Sequence, residues 1–357
     1  MARLWCSSRL VVIVGVNFGT LLVKPEGSGY WDAPGHAWYY RLLRWDSGAY
    51  AGIVRHGYQY SNDAILVVFY PLYPLVSYAV KSLFGIDEYL ALLLVANVAS
   101  VFVVLLMTKF VKDEIGDETA LLSMAFFCFF PSSLFLSAGY TESLCLALVL
   151  LSLILLAREQ FVLAGVTGGL ALGTRSTGVV MIPVILWEIW RRNAPSRPYL
   201  WARMALCGVL AASGLLVYMA YLEIKFGQPL AFATGQAAWH RGTFLDRFVS
   251  AVTLAPFLRM SLGTGGWFVC FLALTIWSFW RLRFAVSLYA LGSLMLPYLT
   301  LGITNSMNRF VLTCFPAFMC LGVLCKGHLW LTSILIGIFA ALLLHDAALF
   351  SQWYWVG

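Results

Sequence analysis

Long apolar runs, broken at short intervals by charged, Gly-containing and Pro-containing stretches, dominate this chain. A bilayer-crossing helix needs about 20 apolar residues, and fewer inside a crowded bundle. Eleven segments meet that description: 10–23, 89–108, 119–137, 141–157, 160–173, 178–190, 204–222, 264–280, 284–301, 309–325 and 329–346. The pattern predicts an all-α polytopic membrane protein. The first run follows Arg3 and Arg9 as a signal peptide would, but no small-x-small cleavage site follows, so it reads as a retained span.

One further apolar run, Val67 to Phe84, is ambiguous by hydropathy, and charge decides it. With 67–84 not spanning and the N-terminus cytoplasmic, the short cytoplasmic segments collect Arg3, Arg9, Lys109, Lys112, Arg158, Arg191, Arg192, Arg197, Arg203, Arg281, Arg283 and Lys326. Only Arg175 and Arg309 then fall in short external loops. If 67–84 spans, every later loop flips and the four-arginine loop 191–203 lands outside. The positive-inside rule therefore assigns 67–84 a juxtamembrane or re-entrant role. Pro71 and Pro74 also disfavour a plain spanning helix there.

Composition sharpens this picture. Charged residues make up 11% of the chain, against roughly 25% in soluble domains, so it could not cover its apolar surface in water. The net charge of +7 is scattered between apolar runs rather than gathered in a basic patch, which excludes nucleic acid as a partner and leaves membrane lipids as the surroundings. Eight cysteines form no CxxC pair, and seven lie inside apolar stretches, where they read as small core residues. Neither a zinc site nor a disulfide framework is implied. His36, His56, His328 and His345 are dispersed.

The topology leaves two long outward segments, about 24–88 and about 223–263, within a single transmembrane domain of 1–357. Long loops in a compact membrane protein are usually functional. The first contains RLLRWDSGAYAGIVRHGY, 41–58. A helix starting near Asp46 would align Tyr50, Ile53, Val54 and Gly57 and would end at Gly57. It would lie flat at the outer interface with its acidic start facing an aqueous cavity. Asp46 is either the N-cap of that helix or a general base for an incoming hydroxyl, with Arg44, Trp45 and Tyr50 as neighbours able to bind substrate.

A second stretch, FPSSLFLSAGYTES at 130–143, turns between two spans and carries Tyr140 and Glu142. Glu142 suits the first turn of a helix, where the dipole favours an acid, or serves as a carboxylate hydrogen-bonded to substrate. Arg175 and Arg309 stand at the outward ends of spans. Either they snorkel to the interface, or they grip a lipid phosphate with the guanidinium fork. Arg309 opens a helix, where a cation is disfavoured, so a compensating anion is expected. In the second long segment, Gln236, Trp239, His240 and Arg241 offer an aromatic platform with polar groups, suited to a sugar or headgroup; a Trp anchoring the interface beside Arg is the plainer reading.

Taken together, RWDSGAYAGIVRHGY (44–58), FYPLYPL (69–75), FPSSLFLSAGYTESL (130–144), GGLALGTRSTGVV (168–180), FGQPLAFATGQAAW (226–239) and NRFVLTCFP (308–316) resemble, in this order, the GPI mannosyltransferase II (PIG-V type) family of the GT-C glycosyltransferases. The resemblance implies a GT-C type bundle of about eleven transmembrane helices with juxtamembrane helices in the first external loop. It implies an active site facing away from the cytosol, a polyprenyl-phosphate mannose donor, a glycan or glycolipid acceptor, and transfer with inversion. The family position for an acceptor-side Asp in the first external loop matches Asp46.

That loop carries one Asp rather than an Asp-x-Asp pair, so no cofactor and no tightly held divalent metal is expected, hard cations wanting several oxygen ligands. No GxxxxGK[ST] appears, and the activated lipid would supply the energy. The chain has short loops and no Asn-x-Ser/Thr sequon and resembles a prokaryotic relative, so a GPI acceptor is not expected and the acceptor would be another lipid glycan or a protein-linked sugar. The rival readings are a transporter or lipid flippase, which usually places ionisable groups mid-span, and a catalytically silent assembly subunit.

Overall fold

The computed structural model describes residues 1–26, 37–59, 65–192, 199–235, 262–301 and 306–357, which are helical or irregular, with no strand among them. The helices are α1 (Ala2–Leu22), α2 (Asp46–His56), α3 (Leu72–Phe84), α4 (Glu88–Ile115), α5 (Asp117–Phe129), α6 (Glu142–Ala157), α7 (Phe161–Thr174), α8 (Met181–Arg192) and α9 (Leu200–Phe226). They continue with α10 (Ala231–Thr234), α11 (Leu262–Ser278), α12 (Phe284–Leu301), α13 (Met307–Thr313), α14 (Phe315–Cys325) and α15 (Leu329–Ser351). Each of the eleven apolar windows falls on helix. Of these helices, α1, α4, α9 and α15 are each long and apolar enough to cross a bilayer alone, while α13 and α14 are together apolar enough but bent by 72°, as in a broken span or a re-entrant loop. The bend occurs at Cys314, with Pro316 just beyond it, where a ring without an N–H suits only the start of a new helix.

The ambiguous run resolves into a 3-10 turn, Ile65–Val68, followed by α3. Thirteen residues rise only about 20 Å, short of the hydrocarbon core. Tyr73, Pro74 and Ser77 are buried, whereas Leu75, Tyr78, Leu83 and Phe84 are exposed, giving α3 one face for protein and one apolar face outward.

The outside of the bundle is apolar. Val98, Phe102 and Leu105 of α4, Leu163 and Leu170 of α7, and Leu206, Val209 and Val217 of α9 all lie exposed, which is stable only in lipid. Within the bundle, small residues bring helices together. A side chain at Gly15 of α1 would meet Ala347 Cβ of α15 at 2.7 Å, and one at Gly19 would collide with Ser351 Oγ and the Ala348 carbonyl.

The two ends of the bundle differ in charge. One end holds the ion pairs Lys112–Asp117 (2.8 Å), Lys326–Glu118 (3.3 Å) and Arg283–Glu114, and α8 closes with Arg192 on Glu188 at 2.7 Å. From there α5 and α15 run to the opposite end, where Glu142 and Ser351 lie. Arg9 departs from the sequence expectation. Counted above with the cytoplasmic charges, it is buried inside the bundle, donating to the Ser133 carbonyl (2.7 Å), Ser137 Oγ (3.0 Å), Ser133 Oγ (3.0 Å) and the Cys128 carbonyl (3.3 Å). The cause is the break after Phe129: the end of α5 leaves carbonyls without intrahelical partners, and a guanidinium fork reaches several at once.

Candidate active site

The start of α2 fixes the first functional side chain. Trp45 occupies the N-cap position with φ 55° and ψ −118°, a left-handed conformation, which costs a non-glycine residue on the order of 1–3 kcal/mol. Asp46 is the first helical residue, and no side chain caps the helix, so the N-cap role open to Asp46 is not the one adopted. Its carboxylate points to the bundle instead. α2 is also packed more deeply against the bundle than its sequence suggests. Ser47, Gly48, Ala49, Tyr50, Ala51, Ile53 and Val54 are all buried, and only Arg55 and His56 emerge at its end. Small side chains in the first turns admit the 137–141 turn, where Ser47 Oγ donates to the Gly139 carbonyl (3.1 Å) and Tyr140 donates to the Arg44 carbonyl (3.0 Å). A Cβ on Gly139 would meet Leu43 Cδ2 at 2.6 Å, so glycine is what lets this turn close on α2.

Four ionisable residues from four separate elements converge there. Arg309 of α13 donates through Nε to Glu142 Oε1 at 2.7 Å and through Nη1 to Asp46 Oδ2 at 2.7 Å. Arg175, following α7, donates through Nη1 to the same Glu142 Oε1 and to Thr141 Oγ1 at 3.3 Å. Glu142 is fully buried, and Arg175 and Arg309 are 8% and 7% exposed. The snorkelling alternative for the arginines is therefore excluded: both turn inward. The anion that Arg309 requires at the start of its helix is supplied twice over. Two carboxylates and two guanidiniums make the cluster formally neutral, and Asp46 is its most exposed member, with 20% of its side chain accessible.

Aromatic rings enclose the cationic part. The Arg309 guanidinium lies 4.8 Å from the Tyr140 centroid and 5.4 Å from those of Phe135 and Trp355. Arg175 lies 4.8 Å from Phe310. Tyr140 is fully buried, donates its hydroxyl to a backbone carbonyl and places its ring against Arg309. Tyr50 packs edge-on against Phe69 and Tyr73; burial, and then the Asp46 charge, pushes its phenol up, keeping it neutral. Arg44 donates to the carbonyls of Ser351 (3.1 Å) and Tyr40 (3.1 Å) and lies over Trp353. Gln236, Trp239, His240 and Arg241 lie outside the described residues. Sequence reasoning missed Trp353 and Trp355; a Trp-Tyr-Trp run after the last span reads as an interfacial belt, and nothing local ties it to Asp46.

No three His, Cys, Asp or Glu side chains converge to hold a metal among the described residues. Both carboxylates of the cluster are engaged by guanidiniums, which leaves a poor donor set for a hard cation.

The Mannosyltransferase (PIG-V) family profile matches residues 28–219, more than half of the chain. The protein belongs to the PIG-V mannosyltransferase family. The match covers Asp46, Glu142 and Arg175, while Arg309 joins this PIG-V site from beyond it. Among curated relatives, the GPI alpha-1,6-mannosyltransferase 2 of Mus musculus is 27% identical over 201 residues, covering 54% of this chain and 40% of the relative. That of Rattus norvegicus is 29% identical over 203 residues, with the same 54% and 40% coverage. The PIG-V chain thus spans less than half the length of these relatives. In fold it is similar to the ArnT structure from Cupriavidus metallidurans bound to undecaprenyl phosphate, with TM-score 0.55 and 13% identity over 91% of this chain and 60% of that one. The apo ArnT structure matches with TM-score 0.51 and 15% identity over 91% and 59%. The expected all-α membrane bundle is thereby the observed fold, and ArnT shares it.

Proposed function

We propose that this PIG-V protein is a membrane glycosyltransferase that moves mannose, with inversion, from polyprenyl-phosphate mannose to a lipid-linked or other glycan acceptor. The observation that carries the reading is the convergence of Asp46, Glu142, Arg175 and Arg309 at the end of the bundle opposite the basic one. By the positive-inside rule the basic end is cytosolic, so the site opens on the external or lumenal face. The mannosyltransferase names of the relatives support the sugar. The undecaprenyl phosphate bound to ArnT is of the same chemical class as the leaving group.

In this mechanism the acceptor hydroxyl oxygen attacks the anomeric carbon as the bond from that carbon to the phosphate oxygen breaks. The hydroxyl proton passes to Asp46, the exposed acid, and the electron pair of the broken bond goes to the phosphate. Arg309, with Arg175 behind it, stabilises the charge that builds there. Glu142 holds both guanidiniums in register. No metal takes part. Mannose transfer from polyprenyl-phosphate mannose, measured in membranes with wild type and Asp46→Asn, tests this. A general base contributes about 10²- to 10⁴-fold, so Asp46→Asn is expected to lose that much in kcat; a fully active variant removes the mechanism.

A further inference from the structure

Among the described non-glycine residues, Trp45, Glu159 and Trp353 have positive φ. The two tryptophans meet, with ring centroids 6.1 Å apart and planes at 69°. Trp355 comes within 5.7 Å of the Trp45 centroid, so Trp45 is flanked by both. Strained backbone clusters where the surroundings hold it for a purpose, and here it adjoins Asp46 directly. The Trp45 indole Nε1 is buried and has no hydrogen-bond acceptor among the described residues, whereas a buried indole N–H usually finds one. Glu142 Oε2, on a fully buried carboxylate in the same site, is likewise unpartnered. An unused donor thus sits on the residue preceding Asp46, and an unused acceptor on a carboxylate of the same cluster.

The segment after α15 is held firmly against them. Arg44 bonds the Ser351 carbonyl and lies 4.6 Å from the Trp353 centroid. The Glu26 amide donates to the Gln352 carbonyl at 3.0 Å. A Cβ on Gly357 would meet Arg309 Cδ at 2.9 Å. Trp353 is buried beneath Arg44, while Trp45 and Trp355 are only partly buried, as is Asp46.

We infer that Trp45 and Trp355 form a pyranose subsite beside Asp46, with the Trp45 indole N–H donating to a sugar oxygen and the rings covering the sugar's apolar C–H face. Trp353 holds the pair in place. An indole combines a flat apolar surface with one donor, which suits a ring bearing C–H groups on its faces and oxygens at its edge. The inference rests on the glycosyltransferase reading. The sugar could be that of the donor or of the acceptor, and the same chemistry serves either.

Steady-state transfer by the full chain, with each substrate varied in turn, is the test. Trp45→Phe keeps a ring and removes the N–H. It is expected to raise KM for one substrate about five- to tenfold, with kcat within about twofold. Trp355→Ala is expected to raise the same KM by about tenfold. The substrate whose KM moves identifies the bound sugar. Trp45→Gly relieves the backbone but removes the ring, and is expected to bind no better than Trp45→Phe. Unchanged KM values for both substrates in Trp45→Phe overturn the subsite, as does a wild-type KM in Trp45→Gly, which would leave Trp45 a backbone role only. If Trp355→Ala does not fold, Trp45→Phe decides alone. A wild-type chain with no transfer overturns the glycosyltransferase reading and the subsite with it.

Discussion

Replacing Glu142 by Gln isolates the electrostatics of the site, because the amide keeps the carboxylate's shape and leaves packing unchanged. Glu142 Oε1 accepts from Arg175 Nη1 and from Arg309 Nε, and the residue is wholly buried. Charged hydrogen bonds contribute about 1.5–3 kcal/mol and neutral ones about 0.5–1.5, so two bonds together weaken by about 2–3 kcal/mol. The two guanidiniums also lose the charge between them, which moves the cost toward the roughly 3–5 kcal/mol of a broken buried pair. At about 2.1 cal/mol/K per residue, the 357-residue chain has an unfolding entropy near 0.75 kcal/mol/K, and about 3 kcal/mol corresponds to about 4 °C. Thermal unfolding of purified protein, followed by tryptophan fluorescence, reads that shift. Adding Arg175→Met to Glu142→Gln removes the now-unpaired cation and is expected to return part of the loss. A wild-type Tm for Glu142→Gln, or a double variant less stable than the single one, refutes the reasoning.

Other outcomes follow from the same geometry. Arg309→Lys keeps the charge but cannot bond Asp46 and Glu142 from two fixed nitrogens, and kcat in the transfer assay is expected to fall by about 10²-fold or more; a fall below threefold would sink the phosphate-stabilising role. Gly19→Val drives a side chain into Ser351 and Ala348, and a Tm lowered by about 1–3 kcal/mol equivalent is expected from overpacking, with an unchanged Tm counting against the close α1–α15 contact. Excess EDTA is expected to leave transfer within about twofold of untreated enzyme, and a loss restored by Mg²⁺ or Mn²⁺ would contradict metal-free chemistry.

The membrane class and nearly every helix were legible because lipid imposes long apolar runs that no other environment tolerates. Asp46 stood out as a candidate because it is a lone acid among aromatic, basic and small residues in the first long segment between apolar runs. What could not be read was pairing. Arg309 and Asp46 lie 263 positions apart, and their meeting depends on the bend at Cys314 and on the turn through Gly139, neither of which has a periodic signature. Arg9 was misplaced for a related reason. A charge near the end of an apolar run is normally solvated, and only the carbonyls freed by the break after Phe129 make burial favourable. The burial of α2 was missed because its small residues are as compatible with an exposed helix as with one wedged between neighbours.

The formal neutrality of the four-residue cluster has a bearing on selectivity under the proposed function. With every cation at rest already answered by an acid, the empty site presents little net attraction to stray ions such as inorganic phosphate, and an incoming anion must compete with carboxylates for the same N–H groups. A ligand anchored in the bilayer by a long hydrocarbon tail reaches that contest at high local concentration, whereas a soluble anion does not. Once the lipid phosphate departs, the carboxylates reclaim their partners, so the resting ion pairs themselves favour release of the spent carrier.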